Sequence, residues 1–258
     1  MLNALADQLI TLIVFLYDLT EMIVIAFANG ASTLRRGVRP VFDVYLRQVY
    51  FTGLEAFRII LVISLIIGTV VITQIISIAG AGSESLTGKV IVWIVVRELA
   101  PLLTAIIVIA RSGTAIAAEL SQMKIGGEID YLESLGIPAA SYLIMPRIFG
   151  LTTAILILTV YFEIAALLGG FLVASLGWHV PWEQYSQGVF SVLTISELAA
   201  SLVKSSLFGL FVAAICCRQG LSVGRSVTQI PQAATRAVMQ SLFFLFVIDG
   251  IVSLFFLL

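Results

Sequence analysis

The chain has 258 residues, 60% of them hydrophobic and 11% charged, with a mean hydropathy of +1.11. A soluble domain carries about 25% charged residues, so this balance excludes an ordinary soluble fold and predicts a polytopic membrane protein. A net charge of −1 supplies no basic field for nucleic acid.

The first residues, MLNALADQL, lack the basic n-region of a secretory signal, which predicts that nothing is cleaved. Within 2–29, the polar residues Asn3, Asp7, Thr11, Asp18 and Glu21 recur at intervals of three, four and seven. That spacing lays one polar stripe along an apolar helix and predicts a helix lying in the interface. A sixth span competes with this reading, at the cost of burying Asp18 and Glu21. Residues 39–53 form a second amphipathic, elbow-like stretch, with Asp43 and Arg47 paired at i,i+4, and lead directly into the first span.

A spanning helix needs roughly 20 apolar residues. Runs of that kind lie at about 55–79, 90–112, 146–176, 195–217 and 236–258, and the third is long enough to tilt or to extend beyond the bilayer. The predicted fold is all-α. Residues 1–53 hold the interfacial and elbow helices, and 54–258 form a five-helix transmembrane domain with a cytoplasmic helix at about 124–137.

With the N-terminus in the cytoplasm, eleven of the fourteen basic residues fall on the cytoplasmic side: Arg35, Arg36, Arg39, Arg47, Arg58, Arg111, Lys124, Arg147, Arg218, Arg225 and Arg236. Lys89 lies in an outer loop, and the C-terminus is outside. The outer segment GWHVPWEQY (177–185) reads as an interfacial aromatic belt through Trp178, Trp182 and Tyr185. The single His179 has no partner for a metal, so no metal site is predicted. Cys216 and Cys217 read as small apolar residues near a helix end. No internal repeat is visible, which argues against transporter folds built from paired halves.

Five ionisable residues lie inside the apolar runs: Arg97, Glu98, Glu163, Lys204 and Asp249. Such groups are costly in a bilayer and are paired or functional. At about 1.5 Å per helical residue, Lys204 and Asp249 both sit roughly 13 Å below the outer surface, on consecutive antiparallel spans. They predict an ion pair, either a structural clamp or part of a substrate site. Arg97 and Glu98 lie about 10 Å deep and point about 100° apart, so each needs another partner: a second subunit, a water-filled cavity or a polar headgroup. Pro101 weakens the helix beside them. An outward-opening cavity is the preferred reading. There Arg97 grips a headgroup phosphate, Glu98 meets an amine or orients Arg97, and Leu99, Leu102 and Leu103 face acyl chains. Glu163 reads as bonded to a neighbouring helix.

The segment KIGGEIDYLESLGIP joins the second and third runs. Gly126 and Gly127 stop one helix, and Gly136 with Pro138 stops the next. Ile129, Leu132 and Leu135 recur every three residues, with Glu128, Asp130 and Glu133 around them. An acidic amphipathic helix of this kind fits a groove on a soluble partner. The competing reading is an interfacial loop helix, although its acids would be repelled by anionic headgroups.

These strings together resemble a family. RELAPLLTA, AR-S-G-TAIAAEL, MK, IDYLESLG and YLIMPR stand in the order of the MlaE (YrbE-type) permeases, the membrane subunits of ABC transporters for phospholipids and related lipids. LVKSSLFG (202–209), ATRAVMQS (234–241) and Asp249 extend the resemblance over roughly 47–258. The resemblance implies a homodimer of five-span subunits in the bacterial inner membrane, with a phospholipid pocket between the subunits and Arg97 and Glu98 beside it. A cytoplasmic ABC ATPase carrying ATP and Mg would dock on Glu128, Ile129, Asp130, Leu132, Glu133 and Leu135. A STAS-domain protein and a ring of extracytoplasmic MCE-domain proteins accompany many such permeases. The chain departs from the family pattern at Gly127-Glu128, at Pro138-Ala139 and at Ile230-Pro231-Gln232.

No catalytic set is visible: there is one His and no HExxH. GAGSESLTGKV (80–90) lacks the Gly and the Ser/Thr of a phosphate loop. The chain is read as a permease with no cofactor of its own, moving lipid between the inner membrane and extracytoplasmic carriers. The alternative is a proton-coupled secondary transporter of an amphipathic substrate, with Lys204 and Asp249 relaying protons.

Overall fold

A computed structural model describes residues 14–28, 39–79, 89–224 and 226–257. Asn3, Asp7, Thr11, Arg35, Arg36, Arg225 and most of the 80–90 segment lie outside the described residues. All regular structure among the described residues is helical. The helices are α1 (14–28), α2 (Arg39–Ala79), α3 (Lys89–Ile125), α4 (Glu128–Ser134), α5 (Ala140–Trp178), α6 (Trp182–Phe190), α7 (Ile195–Leu221) and α8 (Gln229–Leu257). Five of them, α2, α3, α5, α7 and α8, are long and apolar enough to cross a membrane, so the chain is a multi-pass membrane protein.

The amphipathic stretch at 39–53 and the first span are one uninterrupted helix of 41 residues. No glycine–proline break separates them, so the polar face gives way to the apolar one without a turn. The second predicted run likewise continues to Ile125. It widens into π-helix over Val92–Leu99 and again over Ile109–Gly113. At the first of these the Ala100 N–H bonds to the Val95 carbonyl, five residues back. Pro101 follows at once, and with no N–H it cannot serve the carbonyl four residues earlier.

The chain forms two compact units. The first holds residues 1–49, 109–151 and 210–244; the second holds 50–108, 152–209 and 245–258. In the first unit, α1 docks through Phe15, Leu19 and Ala26, which are buried at i, i+4 and i+11. Phe15 stacks on Phe244 at 5.2 Å, and the Arg218 guanidinium lies 4.5 Å above its ring. Asp18 accepts from Arg218 Nε at 3.1 Å and from Nη2 at 2.8 Å. The polar stripe of this helix therefore does not simply face water: Asp18 is neutralised within the chain, while Glu21 is exposed.

The second unit packs α2 tightly on α5, and a Cβ on Gly68 would collide with the Ala166 carbonyl oxygen. A polar seam links α5 to α7. Ser205 Oγ is 3.1 Å from Thr159 Oγ1, and Ser201 Oγ donates to Glu163 Oε1 at 2.5 Å. Glu163 thus has the interhelical bond the sequence suggested. In the segment 177–185, read as an aromatic belt, Trp178 and Trp182 are exposed but Tyr185 is not. Tyr185 is buried on helix α6, its hydroxyl donates to the Leu167 carbonyl at 2.8 Å, and its ring packs with Phe171 and Trp182. A phenol with a carbonyl in reach is better placed inside than at the surface. Burial raises the Tyr185 phenol above its ordinary pKa.

Candidate functional site: a charged cluster within the spans

Four polar residues of α7 fall on one helical stripe: Glu197, Ser201, Lys204 and Ser205 are separated by four, three and one. In α8, Asp249 and Ser253 are four apart and share a face. These two stripes meet the Arg97–Glu98 pair of α3 inside the second unit.

Lys204 is at the centre, with its side chain 1% exposed. Its ammonium donates to Glu98 Oε2 at 2.5 Å, to Ser253 Oγ at 2.7 Å and to the Arg97 carbonyl at 3.2 Å. Asp249 Oδ1 lies 3.0 Å away. The Arg97 carbonyl lies where the helix widens just before Pro101, which has no N–H to give, and Lys204 donates to this backbone acceptor. Ser253 also donates to Glu98, at 3.1 Å to Oε2 and 3.2 Å to Oε1. The predicted pair of Lys204 and Asp249 is therefore a triad with Glu98, bridged by a serine.

The expectation that Arg97 and Glu98 need partners from outside the chain is corrected. Glu98 is held by Lys204, and Arg97 Nη1 lies 3.6 Å from Glu197 Oε1. Arg97 Nε is also 3.6 Å from Glu98 Oε1, so the wide π-turn lets adjacent residues approach despite their divergent directions. Both arginine contacts exceed hydrogen-bond length, which leaves guanidinium donors able to turn to a ligand. Glu98 is the most open member, with its side chain 38% exposed, against 18% for Arg97. Leu99, Leu102 and Leu103 are half-buried on the same helix. Glu197 Oε2 is buried without a hydrogen-bond partner.

Glu197 and Ser253 were not singled out from the sequence. The available signal was their helical register with Lys204 and Asp249.

The loop helix α4 runs over Glu128–Ser134, between Gly127 and Gly136, which both have φ of 75°. That left-handed conformation suits glycine and sets both turns. Ile129 is buried, Leu132 is half-buried, and Leu135 turns outward. The three apolar residues thus do not share one face as their spacing suggested, because the helix ends before Leu135. Glu128, Asp130, Glu133 and Tyr131 are exposed.

The family described as Permease MlaE matches residues 45–255. The chain belongs to the MlaE permease family, and it is a membrane subunit of the ABC-transporter permease class. A probable ABC transporter permease protein of Rickettsia typhi is 28% identical over 76% of this chain and 76% of its own length. A probable ABC transporter permease protein of Synechocystis is 29% identical over 81% of this chain and 80% of its own. The chloroplastic protein trigalactosyldiacylglycerol 1 of Arabidopsis thaliana is 27% identical over 82% of this chain and 61% of its own.

Proposed function

We propose that this permease moves phospholipid, or a related lipid, between a bacterial inner membrane and extracytoplasmic carrier proteins. The observation that carries this reading is the division of labour in the charged cluster. Lys204 is buried and fully engaged, whereas Arg97 and Glu98 keep open surface within an apolar span. A guanidinium with free donors suits a phosphodiester, and a neighbouring carboxylate suits an amine headgroup. Leu99, Leu102 and Leu103 then meet the acyl chains. A relative named for a galactosyl diacylglycerol supports a lipid as cargo.

On this reading two copies of the chain form a homodimer with N-termini in the cytoplasm and C-termini in the periplasm. An ABC ATPase binding ATP and Mg engages α4 from the cytoplasm. A STAS-domain protein and an MCE-domain ring complete the assembly. Arg97→Ala and Glu98→Ala tested in the reconstituted permease–ATPase complex should abolish lipid movement while ATPase binding persists. Transport at the wild-type rate in both variants removes the site from this segment.

A second reading rests on the Glu98–Lys204–Asp249 triad, which holds two carboxylates against one ammonium. Such a cluster suits proton relay in a secondary transporter. Transport driven by a proton gradient, without the ATPase, would select this reading.

A further inference from the structure

The strongest feature outside the charged cluster is a buried arginine at the base of the α4 hairpin. Arg147, at the start of α5, is 4% exposed, and its Nη2 lies 2.9 Å from Glu119 Oε1 on α3. Its Nη1 donates to the Leu143 carbonyl at 3.1 Å, while Nε is buried without a hydrogen-bond partner. Glu119 is the open partner, with its side chain 58% exposed. One half-exposed carboxylate thus supplies the ionic partner of a cation with almost no water. Removing the acid strands that charge, whereas removing both partners does not.

The placement of the pair is informative. Glu119 and Arg147 bracket α4, whose two flanking glycines at positive φ set the turns on either side. All of these residues belong to the first unit, and both α3 and α5 continue along the chain beyond it. A push on α4 can dissipate by splaying the two helices or move them together. An ion pair across their inner ends closes the first route.

We propose that Glu119 and Arg147 form a lock that makes α3 and α5 respond as one lever to movement of α4. They are positioning residues: they touch neither the cargo nor the nucleotide, and they convert movement of α4 into movement of the spans. This inference rests on the ATPase-driven reading above, with α4 as the docking element.

The test uses the full chain with its ATPase in vesicles of phosphatidylethanolamine and phosphatidylglycerol. Movement of a fluorescent phospholipid and ATP hydrolysis are recorded together. E119Q should retain the bound ATPase and its hydrolysis, while lipid moved per ATP falls about fivefold or more. E119D, which keeps the charge, should recover most of that loss. The double variant E119Q/R147M leaves no stranded charge and should fold like the wild type yet remain uncoupled. Unchanged lipid per ATP in E119Q, or restored coupling in the double variant, overturns the proposal. Loss of ATPase binding in E119Q also overturns it, because the pair would then serve only the docking surface. Absence of ATPase from the wild-type complex would instead defeat the ABC reading on which the lever depends.

Discussion

The Lys204 ammonium lies 3.2 Å from the carbonyl oxygen of Arg97, four residues before Pro101. One side chain therefore serves a backbone carbonyl and two carboxylates at once. Lys204→Met should destabilise the protein by about 3–5 kcal/mol, because it strips Asp249 of its cation and leaves Glu98 only the longer contact to Arg97. Adding Asp249→Asn should recover part of that loss in thermal unfolding. Strict additivity of the two changes would show that the residues do not interact.

Photo-crosslinkers at positions 97–99 should capture lipid in membranes, and one in the 177–185 loop should capture much less. Equal capture at both places would place the cargo path elsewhere.

Leu132→Asp and Glu133→Lys should each weaken co-purification of the ATPase while membrane insertion is unchanged. Leu132 is half-buried beside exposed acids, so the two changes alter the same helix in packing and in charge. Full ATPase retention by both variants would count against docking through α4.

Ser201→Ala removes the donor that holds the buried Glu163 carboxyl. Leaving that acceptor without its partner should cost about 1–3 kcal/mol, read as a lower unfolding midpoint in detergent. Glu163→Leu in the same background should recover much of the loss. A midpoint unaffected by Ser201→Ala would show that the seam contributes nothing.

Tyr185 gives a pH dependence. Its folded pKa is raised above the unfolded value of about 10, so its contribution is complete below pH about 10 and is lost as pH climbs further. Near-ultraviolet absorbance should show this phenol ionising later than the exposed tyrosines. Tyr185→Phe should remove that part of the alkaline instability, and an unaltered alkaline profile in the variant would refute the assignment.

The five spans and the α4 stops were legible because apolar run length and glycine–proline punctuation are local signals. The matched depth of Lys204 and Asp249 was also readable from their distances to the ends of the runs. The remaining partners were not. Glu98 meets Lys204 and Arg97 meets Glu197 across about a hundred residues of chain, through helix rotations that no local pattern specifies. The same limit hid Arg147, whose loop-edge position suggested an orientation signal, although it is buried against Glu119. Tyr185 misled for a related reason: aromatic residues near a membrane surface share one composition whether they face lipid or pack inward.

The bond from Asp18 to Arg218 closes a sequence separation of 200 residues. A ribosome adding about 5–20 residues per second needs roughly 10–40 s between making the acid and making its partner. Throughout that interval α1 has neither its cation nor the Phe244 ring beneath Phe15. Helix α1 precedes all five spans in the chain yet is among the last elements to be seated, and a nascent chain halted before the fourth span should leave it open to protease.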